Sequence, residues 1–188
     1  MIRAIIFDFN GVLVDDEHVH FELLRDVLAE EGVALTEQAY ADEYLGYDDR
    51  ACFEVALSRA GQPAGRARID VLIARKAGRY AEAAARGLRV FPGAVPAVQA
   101  LAARWPVAVC SGALRAEIER ALDRMGVRDE VEAIIAAEDT DRCKPDPEGY
   151  FLTLDALRST GHEDLEAAHC LVFEDSLAGL RSAKAAGV

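Results

Sequence analysis

Short, uninterrupted apolar runs alternate with longer stretches of helical spacing along most of the chain. Ala4 to Asp8, Val107 to Cys110, Ala133 to Ala136 and Cys170 to Glu174 are continuous runs, the pattern of parallel strands covered on both faces. Helices are predicted between the later runs. Pro92-Gly93 leads into Ala94 to Arg104, Leu114 to Met125 stops at Gly126, and Glu148 to Arg158 follows Lys144-Pro145-Asp146-Pro147. This order predicts a doubly wound, parallel α/β sheet of the Rossmann-like kind, whose ligands bind at the carboxyl ends of the strands. Between the first strand and Pro92 the pattern is helical only. Phe21, Leu24, Val27 and Leu28 share a face before Gly32; Cys52, Val55, Ala56 and Arg59 share one before Gly61; Ile69, Leu72, Ile73, Lys76 and Tyr80 follow helical spacing. Residues 18–86 are therefore expected to form an inserted helical cap, with residues 1–17 and 87–188 as the α/β core. Its hinges would lie at Val14 to Asp16 and Gly87 to Val90.

Composition narrows the partners. With 188 residues, 52% of them hydrophobic, the chain can bury a core and fits one domain with a small insertion. A formal net charge of −12 argues against nucleic acid, whose phosphates need Lys and Arg to neutralise them. It also repels anionic substrates, so a phosphate ligand must be held by local positive groups and a metal. Cys52, Cys110, Cys143 and Cys170 are far apart and suggest neither a zinc site nor a disulfide framework. No signal pattern precedes the first strand and no apolar run approaches membrane-spanning length, so the expected compartment is the cytoplasm.

The chemistry sits at the ends of the predicted strands. The first delivers Asp8 into the turn Phe9-Asn10-Gly11, the second ends at Ser111-Gly112, Lys144-Pro145 follows the third, and the fourth ends at Glu174-Asp175-Ser176. Each has an ordinary reading alone: Asp8 as a turn residue, Ser-Gly as a strand-to-helix turn, Lys144 as a solvated lysine, Glu174-Asp175-Ser176 as a helix start. Together, in this order, they resemble the four motifs of the haloacid dehalogenase-like hydrolase superfamily, in the branch of β-phosphoglucomutase and phosphoglycolate phosphatase. The resemblance runs from Met1 to Val188. At the C-terminus the family normally carries a further strand and helix, so a core strand is expected to be absent here. A missing edge strand would expose unpaired backbone groups on its neighbour and favour low stability or pairing with another chain. A monomer or weak dimer is expected.

The resemblance implies a Mg²⁺-dependent phosphatase acting on a small phosphorylated metabolite. Asp8 would be the nucleophile, forming an aspartyl-phosphate that divides one difficult displacement into two easier ones. Mg²⁺, which takes hard oxygen ligands, would be held by Asp8, the backbone carbonyl of Asn10, Asp175, and Glu174 directly or through water. Ser111 and the Gly112 N–H would bind a phosphoryl oxygen, and Lys144 would neutralise the phosphoryl group. In the cap, Gly46-Tyr47-Asp48-Asp49-Arg50 resembles a specificity loop. Arg50 is expected to hold a second phosphate or a carboxylate, and Lys76 matches a cap lysine of the sugar-phosphate mutases.

One position departs from the pattern. The phosphatases read D-x-D where this chain reads Asp8-Phe9-Asn10, and an amide cannot pass a proton to the leaving group or take one from water. General acid–base catalysis is worth about 10²–10⁴ in rate, about 3–5 kcal/mol of barrier. Three accounts stay open: another group acts as the acid, the chain turns over slowly or only on good leaving groups, or Asn10 is an introduced change that traps a complex. His20, which matches a histidine near the mutase site, and Glu17 are the candidate stand-ins, since an imidazole suits proton transfer near neutrality. A phosphomutase and a phosphometabolite-binding protein without turnover remain alternatives, the first disfavoured by Asn10. A dehalogenase is disfavoured by the Glu174-Asp175 pair.

Overall fold

In the computed structural model, which describes residues 1–188, four parallel strands form one sheet in the order β3-β2-β1-β4. They are β1 (Ala4–Phe7), β2 (Val107–Cys110), β3 (Val131–Ile135) and β4 (Cys170–Phe173). β1 pairs with β2 through Ile5 and Val107 and with β4 through Ala4 and Cys170, so it lies inside the sheet. Alternate residues feed opposite faces. Ile5, Phe7, Val107 and Val109 join the apolar cluster under α5 (Ala94–Ala102) and α6 (Arg115–Met125), whereas Ala4, Ile6, Ala108 and Cys110 join the one under α7 (Glu148–Ser159) and α8 (Leu177–Ala185). Helices on both faces of a parallel sheet make the doubly wound α/β fold that the apolar runs predict.

Two local readings need correction. β3 begins at Val131, not Ala133: Val131 is buried and pairs with Val107, but the exposed Glu132 interrupts the apolar run and hid the start of the strand. In the helix after Asp48 the inward face is Cys52, Phe53, Ala56 and Leu57, so Arg59 points outward and pairs with Glu43. The sequence placed that face one residue too far round.

Four helices occupy the segment between β1 and α5: α1 (Glu17–Glu30), α2 (Glu37–Glu43), α3 (Asp49–Arg59) and α4 (Arg66–Arg86). Leu24, Val27, Leu28, Phe53, Leu57, Ile69 and Leu72 give them an apolar core of their own. The two connections to the sheet run side by side. Val14 bridges Val90, Asp15 N–H donates to the Arg89 carbonyl at 2.7 Å, and the Asp15 carboxylate pairs with Arg89 at 3.0 Å.

β4 is an outer strand, and Leu171 and Phe173 on it, with Leu177 and Leu180 on α8, leave apolar side chains exposed. All four cysteines are free thiols. No helix is long and apolar enough to cross a membrane.

Candidate active site

The carboxyl ends of the strands bring the four motifs to one place. Asp8 follows β1 directly and is 8% exposed. Lys144 Nζ lies 3.1 Å from Asp8 Oδ1 and 2.6 Å from Glu174 Oε1, so one buried ammonium bridges two carboxylates. Burial opposes the charge on Lys144, but Asp8 and its neighbours outweigh it and hold the ammonium well above its ordinary range. Burial pushes the Asp8 carboxyl up, Lys144 pulls it back in part, and Glu174 adds to the rise. Asp8 Oδ1 accepts no well-directed hydrogen bond. Lys144 is the one cation beside this oxygen, and no donor meets it in good hydrogen-bond geometry.

Asp8, Glu174 and Asp175 offer carboxylate oxygens within 4.8 Å of one another. Burial, with Asp8 and Glu174 nearby, pushes Asp175 up to about 6. A surplus of negative charge, all-oxygen donors and an orphaned buried oxygen fit a hard divalent cation such as Mg²⁺. Gly11 is part of that fit. With φ +73 it adopts a backbone few other residues tolerate, and a Cβ there would sit 1.9 Å from Asp175 Oδ2. Glu174 is more committed: Lys144 holds Oε1, and the backbone N–H and hydroxyl of Ser176 donate to Oε2 at 2.8 and 3.0 Å. Its carboxylate orients Lys144 and complements the positive end of α8.

Ser111 N–H donates to the Ile135 carbonyl at 2.9 Å, which anchors the turn after β2. Its hydroxyl oxygen accepts from Ala113 N–H at 3.3 Å, leaving the hydroxyl proton to donate elsewhere. The Gly112 N–H makes no hydrogen bond inside the protein. Both donors line a cavity of about 300 Å³ that also reaches Asp8, Lys144 and Asp175.

The helical segment closes over this cavity. A Cβ at Gly46, whose φ is +85, would lie 2.6 Å from Ser176 Oγ, and one at Gly112 would lie 3.4 Å from Asp48 Cα. A polar chain crosses from β1 into the helices. Asn10 Nδ2 donates to Asp16 Oδ1 and Oδ2 at 3.0 and 3.1 Å and lies 3.1 Å from His20 Nε2. Lys76 Nζ lies 2.8 Å from His20 Nδ1 and donates to Asp49 Oδ1 at 2.6 Å. Lys76 can give a proton only to a lone pair, so we assign Nδ1 as the acceptor and the ring N–H to Nε2, facing Asp16 Oδ2 at 3.4 Å. Burial pushes Asp16 up, but the bonds from His20, Tyr80 and Asn10 outweigh it and hold the carboxyl below its usual range.

His20 and Lys76 thus join Asp8, Asn10, Ser111, Gly112, Lys144 and Asp175 at one cavity, as does Glu17, whose carboxylate accepts from the Tyr40 hydroxyl. Arg50 lies at the rim with its guanidinium already paired with Asp70 at 2.6 Å. Lys76 is 2% exposed, and Asp49, overcoming burial, raises its ammonium above the ordinary value. Sequence reasoning missed Asp16 and Glu117. Asp16 read as a hinge residue before a helix, yet it makes no cap hydrogen bond, its carboxylate turning to Asn10 and Tyr80 instead.

Comparison with known proteins gives the chain a family. The family model described as haloacid dehalogenase-like hydrolase matches residues 2–187. Validoxylamine A 7'-phosphate phosphatase of Streptomyces hygroscopicus subsp. limoneus is 31% identical over 190 residues, covering 100% of this chain and 84% of the relative. Phosphoglycolate phosphatase of Rhodospirillum rubrum is 30% identical over 195 residues, covering 100% and 78%. Among solved structures, CbbY of Rhodobacter sphaeroides, as an Asp-to-Asn mutant in complex with xylulose-(1,5)bisphosphate, superposes with a TM-score of 0.85 at 26% identity, covering 100% of this chain and 84% of that one.

Proposed function

Because the chain belongs to the haloacid dehalogenase-like hydrolases, in the branch of phosphoglycolate phosphatase and β-phosphoglucomutase, we propose that this phosphatase of small phosphorylated metabolites works through an aspartyl-phosphate on Asp8. The observation that carries the reading is the buried Lys144 ammonium between Asp8 and Glu174, beside Asp175 and at the edge of a cavity shared with the helical segment. Mg²⁺, held by Asp8, Asp175 and the Asn10 carbonyl with Glu174 behind them, would supply positive charge to the phosphoryl oxygens.

In the first step an Asp8 carboxylate oxygen bonds to phosphorus as the bond to the ester oxygen breaks. Lys144 neutralises the phosphoryl group and holds Asp8 in line. The Ser111 hydroxyl and the Gly112 N–H donate to a non-bridging oxygen, where negative charge grows in the transition state. In the second step water attacks the same phosphorus, freeing Asp8 and inorganic phosphate. Each step moves a proton, off the water and onto the departing ester oxygen. The Asn10 amide carries neither, so turnover is slow or confined to good leaving groups unless the Asp16-His20 pair beside Asn10 relays the proton. The helices between residues 18 and 86 act as the cap that excludes water during the phosphoenzyme stage.

Asn10 also favours a second reading, a phosphometabolite-binding protein with little turnover. A phosphomutase fits less well, because returning the phosphoryl group to a sugar needs the same missing proton carrier. We place the protein in the cytoplasm as a monomer or weak dimer, with no nucleic-acid partner. The test is phosphate release from a panel of sugar and short-acid phosphates with Mg²⁺, comparing the native chain with Asp8→Ala and Asn10→Asp. Activity lost with Asp8 supports the nucleophile, and release unaffected by Asp8→Ala refutes it. Binding without release in the native chain selects the second reading.

A further inference from the structure

Resting on the phosphatase reading and deepening it, we infer that the cap half of the cavity selects a hydroxyl-rich phosphomonoester that carries an amine, with Glu117 as the residue that recognises the amine. The two ends of the cavity differ in charge. At the strand end Lys144, Ser111 and the Gly112 N–H stand ready for one phosphoryl group. At the cap end the buried Lys76 is engaged by Asp49 and His20, and the exposed Arg50 is paired through one nitrogen with Asp70. Glu17 is held by Tyr40. A second phosphate or a carboxylate would have to compete with Asp49 for Lys76 and with Asp70 for Arg50.

Glu117 is the exception among the acids. It sits in the first turn of α6 and lines the cavity, is 8% exposed, and makes no ion pair and no hydrogen bond to another side chain. The nearest help is the Leu114 N–H at the start of its own helix. Burial pushes its carboxyl up, and His20 and Lys76 draw it only part of the way back. A buried carboxylate with one backbone donor and no cation paired to it is costly, and what relieves the cost is a further donor, best a charged one. An ammonium on the ligand supplies it, hydroxyls satisfy the flanking carboxylates, and a second anion meets repulsion.

The test is titration calorimetry with Mg²⁺ on Asp8→Asn protein, which cannot form the phosphoenzyme, using glucosamine 6-phosphate, glucose 6-phosphate and 6-phosphogluconate. We expect the amine to bind about 10- to 100-fold more tightly than the neutral sugar, the worth of a hydrogen bond to a charged group, and the acid most weakly. Adding Glu117→Gln should erase the amine preference and leave glucose 6-phosphate within about twofold. The ranking in Glu117-bearing protein stands even where the variant misfolds. Tightest binding by the acid, no binding by any of the three, or an amine preference indifferent to Glu117→Gln overturns the inference. Parallel phosphate release by protein with Asp8 intact separates the two levels: correct ranking without release refutes the reaction and keeps the specificity, and release with the wrong ranking does the reverse.

Discussion

Asn10→Asp should do more than restore a missing acid, because position 10 faces a second carboxylate. Asn10 Nδ2 stands 3.0 and 3.1 Å from the two oxygens of Asp16, which is 2% exposed. A carboxylate in its place would set two negative charges about 3 Å apart, a repulsion of about 5 kcal/mol at an effective dielectric of about 20. Holding one proton instead costs about 1.36 kcal/mol for each pH unit above the ordinary Asp value of about 3.9. That is about 4 kcal/mol at pH 7 and about 1.5 at pH 5. The proton is the cheaper solution at both, so the pair should titrate as a unit and keep one proton through neutrality.

The sign follows. A folded-state pKa raised above the unfolded value gives stability that is present below about pH 4 and lost as pH rises through the folded value. Urea unfolding of Asn10→Asp should therefore show a penalty of up to about 4 kcal/mol at pH 7 that shrinks to about 1.5 at pH 5. The swapped variant Asn10→Asp with Asp16→Asn keeps the hydrogen bond and removes the repulsion, so its penalty should fall below about 1 kcal/mol at either pH. In phosphate release the swapped variant should gain about 10²–10⁴ over the native chain, the range of general acid–base catalysis. A pH-independent penalty, or a swap no better than the single change, refutes the proximity argument.

Three further outcomes are expected. In chelator, the Asp175 pKa of about 6 makes the folded protein lose stability as pH rises from about 4 through about 6. Because Asp175 is exposed, screening keeps the effect to about 1 kcal/mol or less, and thermal melts should show a drop between pH 5 and 7.5 that Mg²⁺ removes and Asp175→Asn reduces; a flat profile in chelator counts against the acidic cluster as a metal site. Gly46→Ala forces a left-handed residue, costing about 1–2 kcal/mol, and drives a Cβ against Ser176, so KM should rise about 10-fold or more and the melting temperature should fall by about 2–8 °C; an unchanged KM means that the helical segment need not close as seen. Sedimentation velocity at rising concentration should detect self-association through the exposed apolar residues of β4 and α8, weakened by Leu177→Lys with Leu180→Lys, and a stable monomer at every concentration sinks that expectation.

What was legible in the sequence, and what was not, follows from how far each signal reaches. Buried parallel strands are locally apolar, so β1, β2 and β4 announced themselves, and only the charged side chain in β3 blurred its start. The motif residues at their ends were legible because a parallel sheet must gather its carboxyl ends on one edge. Arg50 and Lys76 were expected to seek substrate anions because nothing in their neighbourhood of sequence said otherwise; Asp70 lies twenty residues on and Asp49 twenty-seven residues before. Glu117 occupies the first turn of α6, an ordinary place for an acid, and its burial shows only in the fold.

Asn10 shows the limit most sharply. In the sequence it is a carboxylate lost from D-x-D; in the fold its amide binds a carboxylate at Asp16, one side-chain contact away, itself fixed by Tyr80 and facing His20. An Asp at position 10 and an Asp at position 16 cannot both be charged in this arrangement, so the two residues form one electrostatic choice. Asn10 is then the partner that a buried Asp16 requires. The proton-carrying power of the site has to be sought around Asp16 and His20 before this chain is counted as a phosphatase that has lost it.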